Sequence, residues 1–187
     1  MNLIREYIIG ILFFCFWNGW VKIPSKTQKG KVFEQDFSSS FDDGFWVYRL
    51  RDNAASFGNG RNTRFASSNI CDFIIFHDIT RTLYMIECKS TKNASIPYTM
   101  LKDNQIKGLT DASKHDVVAC FVFNYRNENN DTYFMKIEDF NVMKSELEKK
   151  SFNSTDLEKY GAIRIASTKK RTRYRYDTQQ FVKETHL

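Results

Sequence analysis

The sequence predicts an α/β protein in which helices flank a mixed central β-sheet, and three observations lead there. Helical and strand-like patterns alternate along the chain in the order α, β, β, β, α, β, β, α. Two apolar runs, Asn69 to His77 and Thr82 to Ser90, are separated by a polar stretch suited to a hairpin. The 187 residues, 42% hydrophobic and 16% aromatic, can fill one sizeable core, which excludes a mainly disordered chain.

The first element, residues 1–21, is a hydrophobic segment whose stretch from Tyr7 to Trp17 is almost wholly apolar. It is shorter than the ~20 apolar residues that span a bilayer, and no A-x-A-like cleavage site follows it. Three explanations stay open: a translation start upstream of the true one, a membrane-surface anchor, or a helix packing on the fold or a partner copy. The first is favoured and puts the working start near Lys22, so that residues 22–187 form a single domain.

Within that domain, Ser25 or Thr27 can cap a helix running to about Ser38, in which Val32, Phe33 and Phe37 form an apolar stripe edged by Glu34. Phe45 to Leu50 reads as the first strand, and Arg51 to Arg64 as part of a short Gly- and Asn-rich loop reaching Ser68. Beyond the hairpin, Ser95-Ile96-Pro97-Tyr98 reads as a loop, because proline restricts the residue before it. A helix from about Thr99 to Lys114 then places Met100, Leu101, Gln105 and Leu109 near one face. Val117 to Asn124 and Thr132 to Ile137 read as strands, and Glu138 to Lys149 as an amphipathic helix. A short helix opens at Ser154, and Ala162 to Ala166 leads into a basic C-terminal arm that begins at about Gly161.

The hairpin carries the chemistry. If Asp78 to Arg81 form a four-residue loop, His77 pairs with Thr82, every pair sums to 159, and Asp72 falls opposite Glu87. Opposed side chains share a face about 5 Å apart, so two carboxylates there repel unless a cation lies between them. Alternation puts Glu87 and Lys89 on one side and Cys88 on the other. One reading is a hard-oxygen site for Mg²⁺ or Mn²⁺ that can polarise a phosphodiester; the other is a carboxylate pair bridged by Lys89. Glu34 either reaches the sheet from its helix or is an ordinary surface residue. The Gln105 amide either holds a phosphate or the attacking water, or is a partly buried group bonded to backbone.

Asp72 followed by Glu87-Cys88-Lys89 resembles the PD-(D/E)XK nuclease motif, with Cys71 where the proline usually stands. The wider run from Ser67 to Asp72, and Glu87 through Lys92, resembles the RecU-type Holliday junction resolvases of phages and Firmicutes. Gly30-Lys31-Val32-Phe33-Glu34 is similar to that family's early helix, and Asn104-Gln105-Ile106 to its later helix bearing a Gln; the likeness covers about Lys29 to Phe140. The resemblance implies a restriction-endonuclease-like core and a Mg²⁺-dependent homodimeric endonuclease that cuts branched DNA in recombination and repair. Asp72, Glu87 and Lys89 would be catalytic, with Gln105 beside them and Glu34 supporting the metal held by Asp72 and Glu87. One departure is the segment Arg51 to Ser68, which is short and Gly-rich where the family carries a long projection into the junction centre.

Charge agrees with a DNA partner, double-stranded or branched. The net charge is +6 and the pI about 9.1. From Gly161 to Leu187 seven basic residues face two acidic ones, and Lys169, Lys170, Arg171, Arg173 and Arg175 alternate in part with Tyr174 and Tyr176. That pattern reads as a phosphate-tracking strand or, alternatively, a solvated tail; alternation would put the three arginines on one face and the tyrosines on the other. Arg51, Arg61, Arg64, Lys92, Lys102 and Lys107 are further candidate phosphate contacts.

Cys15, Cys71, Cys88 and Cys120 lack C-x-x-C spacing and read as reduced thiols of a cytoplasmic protein, and the three histidines lack zinc-ligand spacing. His77 is expected in a turn or facing DNA. Three rival readings remain: a related nuclease acting on linear or damaged duplex, a non-catalytic DNA-binding recombination accessory protein, or a membrane-associated protein built around the N-terminal run.

Overall fold

The computed structural model of the chain describes residues 26–50 and 69–185. Helix α1 (Lys26–Ser38) turns Phe33 and Phe37 inward and leads to β1 (Phe45–Arg49). The hairpin forms from β2 (Phe73–His77) and β3 (Thr82–Thr91). Strand β4 (Ser95–Pro97) and a 3-10 turn (Tyr98–Met100) precede α2 (Asp103–Ser113). Next come β5 (Val118–Tyr125), β6 (Thr132–Lys136), α3 (Ile137–Glu146), β7 (Ser151–Asn153) and α4 (Ser154–Lys159). The chain closes with β8 (Ile163–Arg164), β9 (Ser167–Lys170), β10 (Arg173–Tyr176) and α5 (Thr178–Thr185).

The central sheet has six strands in the order β1-β2-β3-β5-β6-β8. All its neighbours are antiparallel except β3 and β5, which run parallel. A parallel pair needs a crossover, and the segment carrying α2 provides it. Period-two alternation divides the core. Phe73, Ile75, Tyr84 and Ile86 point to one side, with Phe33 and Phe37 of α1 and Phe181 of α5. Phe121 and Phe123 point to the other side, with Leu109 of α2 and Phe140 of α3. The expected α/β class, a mixed sheet with helices on both faces, is what forms.

Several local expectations are corrected. Ser95–Pro97 is a strand, paired with Ser151–Asn153, although proline lacks a ladder donor; two-stranded edge pairing tolerates that loss. The helix after it starts at Asp103, because Tyr98–Met100 close a tighter turn first. His77 faces neither solvent nor DNA: it is 3% exposed, its ring stacks on Phe45 at 4.4 Å, and its Nδ1 bonds the Thr80 hydroxyl at 2.7 Å. The basic arm is no loose tail, since β9 and β10 form a hairpin and α5 buries Phe181 and Val182. The N-terminal segment and the Arg51 to Ser68 loop lie outside the described residues. Among those described, no helix is long and apolar enough to cross a membrane, and Cys71, Cys88 and Cys120 are buried free thiols.

Candidate active site

The predicted register is found: Phe73 faces Ile86 and His77 faces Thr82, each pair summing to 159. At the open end the ladder shifts. The Asp72 amide donates to the Ile86 carbonyl at 3.0 Å, one residue off that register, while its own carbonyl accepts from the Leu50 amide at 2.9 Å. Asp72 is thus fixed on both sides by backbone. Its Oδ2 reaches across to accept the Cys88 N–H at 2.8 Å, so the carboxylate is held by a main-chain donor between Glu87 and Lys89. No sequence pattern singled out that amide; its only signal is its place inside Glu87-Cys88-Lys89.

Glu87 lies on the α2 side of the sheet, its backbone opposite Phe121, and is 2% exposed. Its Oε1 accepts from Lys89 Nζ at 2.5 Å and from Gln105 Nε2 at 2.6 Å. Lys89 Nζ also donates to Gln105 Oε1 at 3.1 Å, and that oxygen takes the Lys102 amide at 3.4 Å. Gln105 is thus a buried group bonded to backbone, as one of its two readings had it, and it also holds the Glu87 carboxylate, which neither reading named. Helix α2 approaches closely because Gly108 has no side chain; a Cβ there would lie 2.5 Å from Ile70, two residues before Asp72.

The two oxygens of Glu87 differ. Oε1 has two donors, whereas Oε2 is buried without any hydrogen-bond partner. Burial first, and then the Asp72 charge, push the Glu87 carboxyl up to about 7, against the opposing pull of Lys89. A buried acceptor left open beside a second carboxylate is an arrangement that a divalent cation completes, because it neutralises the repulsion and occupies the open lone pair. The donor set fits Mg²⁺ or Mn²⁺ to the extent of two carboxylates. Glu34 is not brought to them: its Oε2 pairs with Arg49 at 2.5 Å. Among the described residues no three of His, Cys, Asp and Glu stand close enough to share a metal.

The family model for RecU, Recombination protein U, matches residues 55–177. The chain belongs to the RecU family. The RecU match contains Asp72, Glu87, Lys89, Gln105 and the hairpin of β9 and β10, but begins after Glu34. A curated relative, the SPbeta prophage-derived uncharacterized protein YotM of Bacillus subtilis (strain 168), is 32% identical over 126 residues, which are 65% of this chain and 63% of that protein. The chain thus spans less than two thirds of this relative's length. Among solved structures, Archaeoglobus fulgidus Hjc, a Holliday junction resolvase, is 20% identical over 60% of this chain and 78% of its own, with a TM-score of 0.38.

The RecU-family chain displays its candidate DNA contacts unevenly. Lys92, Lys102, Lys107, Lys169, Lys170, Arg171 and Arg175 are exposed. Arg173 is ion-paired through Nε with Asp36 of α1, and the Tyr174 amide donates to the same carboxylate at 3.2 Å. Arg171 sits in the turn with φ 54°, so only Arg173 and Arg175 keep the predicted alternation along β10. Tyr174 and Tyr176 pack against the core on the α1 side, as that alternation required. Arg51, Arg61 and Arg64 lie outside the described residues.

Proposed function

We propose that this RecU-family chain is a Mg²⁺-dependent endonuclease, with Mn²⁺ able to substitute, that hydrolyses phosphodiester bonds in branched DNA in the manner of a Holliday junction resolvase and acts as a homodimer. The observation that carries the reading is the divided Glu87 carboxylate, with one oxygen anchored and the other buried and open beside Asp72.

Asp72 and Glu87 would hold the cation, which when bound supplies Lewis-acid stabilisation of phosphoryl charge and a more acidic water. The chain supplies the rest. The Cys88 amide fixes Asp72, and Gln105 with Lys89 fixes Glu87, so neither carboxylate has to reorganise as charge develops. Lys89 Nζ adds a positive charge at the same spot and would orient the attacking water as the 3′-oxygen leaves. Glu87 must be ionised to act as a ligand, so weaker metal binding below about pH 7 follows from its raised pKa. Paired nicks at a junction need two such centres related by a two-fold axis, which a homodimer of this chain provides. Glu34 would join the set only by leaving Arg49.

The test uses a mobile four-way junction and a linear duplex of the same sequence, with and without Mg²⁺, cut by the wild-type chain, Glu87→Gln and Lys89→Ala. Symmetric, Mg²⁺-dependent nicks at the junction that vanish in both variants support the proposal. Equal products from the variants end it, and equal cutting of linear duplex moves the substrate to unbranched DNA.

A further inference from the structure

We infer that one face of the outer hairpin strands, β1, β2 and the start of β3, is the surface on which a second copy of this chain docks about a two-fold axis, an assignment that rests on the homodimeric nuclease reading above. The register sets Trp46, Phe76 and Leu83 in one row and Tyr48, Ile74 and Met85 in the next. Ile74 and Met85 border the core on the α2 side, so both rows lie on the face that carries Glu87.

The two faces of these strands differ in cover. On one, Phe45, Phe73 and Ile75 are buried in the core shared with α1 and α5. On the other, none of the six row residues is fully buried, and Trp46 and Tyr48 are 55% and 48% exposed. Helix α2 packs on β3 and β5, and α3 on β5 and β6, toward the opposite side of the sheet. A sheet face that meets water ordinarily carries polar side chains at alternate positions, whereas all six here are aliphatic, aromatic or Met. The Trp46 and Tyr48 rings lie 12° from parallel with centroids 5.7 Å apart, so the apolar surface is already formed. An exposed apolar patch of this kind marks an interaction surface.

Charge selects the occupant. DNA is held by cations, and the rows contain none; Arg81, at their border, lays its guanidinium over the Phe76 ring at 4.8 Å. Two copies that each carry +6 repel, and they approach most readily through a face without charge. Half-exposed Trp and Tyr are the side chains that anchor protein interfaces. With the axis along the strands, hairpin tip meets hairpin tip. The Glu87 row lies one two-residue step, about 6.6 Å, past the Met85 row, so both centres then open at the same end of the dimer, as paired nicks require. The same orientation brings exposed Arg81 and Asp78 of one tip beside those of the other, opposite charges at the rim. It also covers Ile79, which stands 83% exposed at that tip.

The experiment is sedimentation velocity of the full-length chain, without DNA or metal, from about 0.1 to 100 µM. It compares wild type, a double variant with Trp46→Ser and Tyr48→Ser, Arg81→Glu, Asp78→Lys, and the last two combined. Wild type should dimerise within that range, and the double variant should raise the dissociation constant about a hundredfold while keeping the wild-type far-UV circular dichroism. Arg81→Glu and Asp78→Lys should each weaken the dimer, and their combination should restore it in part. If the double variant fails to fold, that restoration decides. In full-length protein with Trp17→Phe and Trp20→Phe, Trp46 is the only tryptophan, and its emission should move to the blue as concentration rises. A wild type that stays monomeric, or a dimer equally strong in the double variant, overturns the inference. So does a blue emission in the monomer that ignores concentration, since the chain's own segment then covers the face. Unchanged association with weaker DNA binding overturns it too, because the face then takes nucleic acid. Association is read without DNA or metal, so a failed nuclease proposal, seen as cleavage persisting in Glu87→Gln, leaves this result separately legible.

Discussion

Strand β3 carries two buried polar clusters on opposite sides of the sheet, and they are completed to different degrees. Toward α1, Ser90 donates to Asn124 Oδ1, Asn124 donates to Asn130 and Thr132, and Asn130 donates to Ser167 and to the Tyr176 hydroxyl. Every group there is neutral and has a partner. Toward α2, Glu87, Lys89, Gln105 and Asp72 are gathered as closely, yet Glu87 keeps an open oxygen and a carboxyl raised to about 7. A neutral, saturated network rigidifies a fold; a charged, unsaturated one stores an unfavourable state that a ligand relieves. The contrast separates the mount from the centre that it holds.

Glu87→Gln should break the comparison most sharply, because it should impair function and stabilise the metal-free fold. Cleavage should fall on the order of a thousandfold, since an ionised ligand and the anchor of Lys89 are both lost. Stability should move the other way above neutrality. The folded pKa of about 7 lies above the ordinary carboxyl value of 4.5, so the contribution of Glu87 is fully present below about pH 4.5 and lost as pH rises through 7. That difference is worth about 3 kcal/mol, or several degrees in thermal midpoint. Scanning calorimetry at pH 5 and pH 8 should show wild type losing stability on alkalinisation much more than Glu87→Gln. Mg²⁺ at pH 8 should restore the wild type alone. Parallel pH slopes in the two proteins would mean that Glu87 is not the strained group.

Asn124→Ala attacks the saturated cluster and should show the reverse pattern. Removing an amide that serves Ser90, Asn130 and Thr132 leaves buried groups unpaired, at a cost of about 2–3 kcal/mol. Denaturant midpoints should fall accordingly, while the cleavage rate of folded protein at saturating DNA stays within about threefold of wild type. A thousandfold loss of rate would merge the two clusters into one functional unit.

How much of this was legible beforehand follows from the range of each contact. The hairpin register was readable because its determinants are local: two alternating apolar runs and a four-residue loop. The Glu87 and Lys89 pairing is only two residues apart and was equally readable. Asp72 was placed one ladder step too simply, since its amide turns to Ile86 while Leu50, just past the end of β1, binds its carbonyl. Contacts between distant segments left no local trace. Nothing in Ser95-Ile96-Pro97 announces Phe152 as the partner of Ile96, nor does Arg173 announce Asp36, nor His77 the Phe45 ring.

The smallest effect sharpens the boundary of the centre at Glu34. Its ion pair with Arg49 is partly exposed, with side chains 17% and 47% accessible, and pairs of that kind contribute at most about 1 kcal/mol. Arg49→Ala should therefore shift the thermal midpoint by about 3 °C or less. If Glu34 supports the metal, as the early-helix resemblance implies, freeing it from Arg49 should leave cleavage at or slightly above the wild-type level, while Glu34→Gln should lower it about tenfold and raise the Mg²⁺ concentration needed for half activity. If Glu34 only tethers α1 to β1, the two variants should lose the same small stability and neither should change the Mg²⁺ requirement. A Mg²⁺ titration of both variants against wild type distinguishes a two-carboxylate centre from a three-carboxylate one.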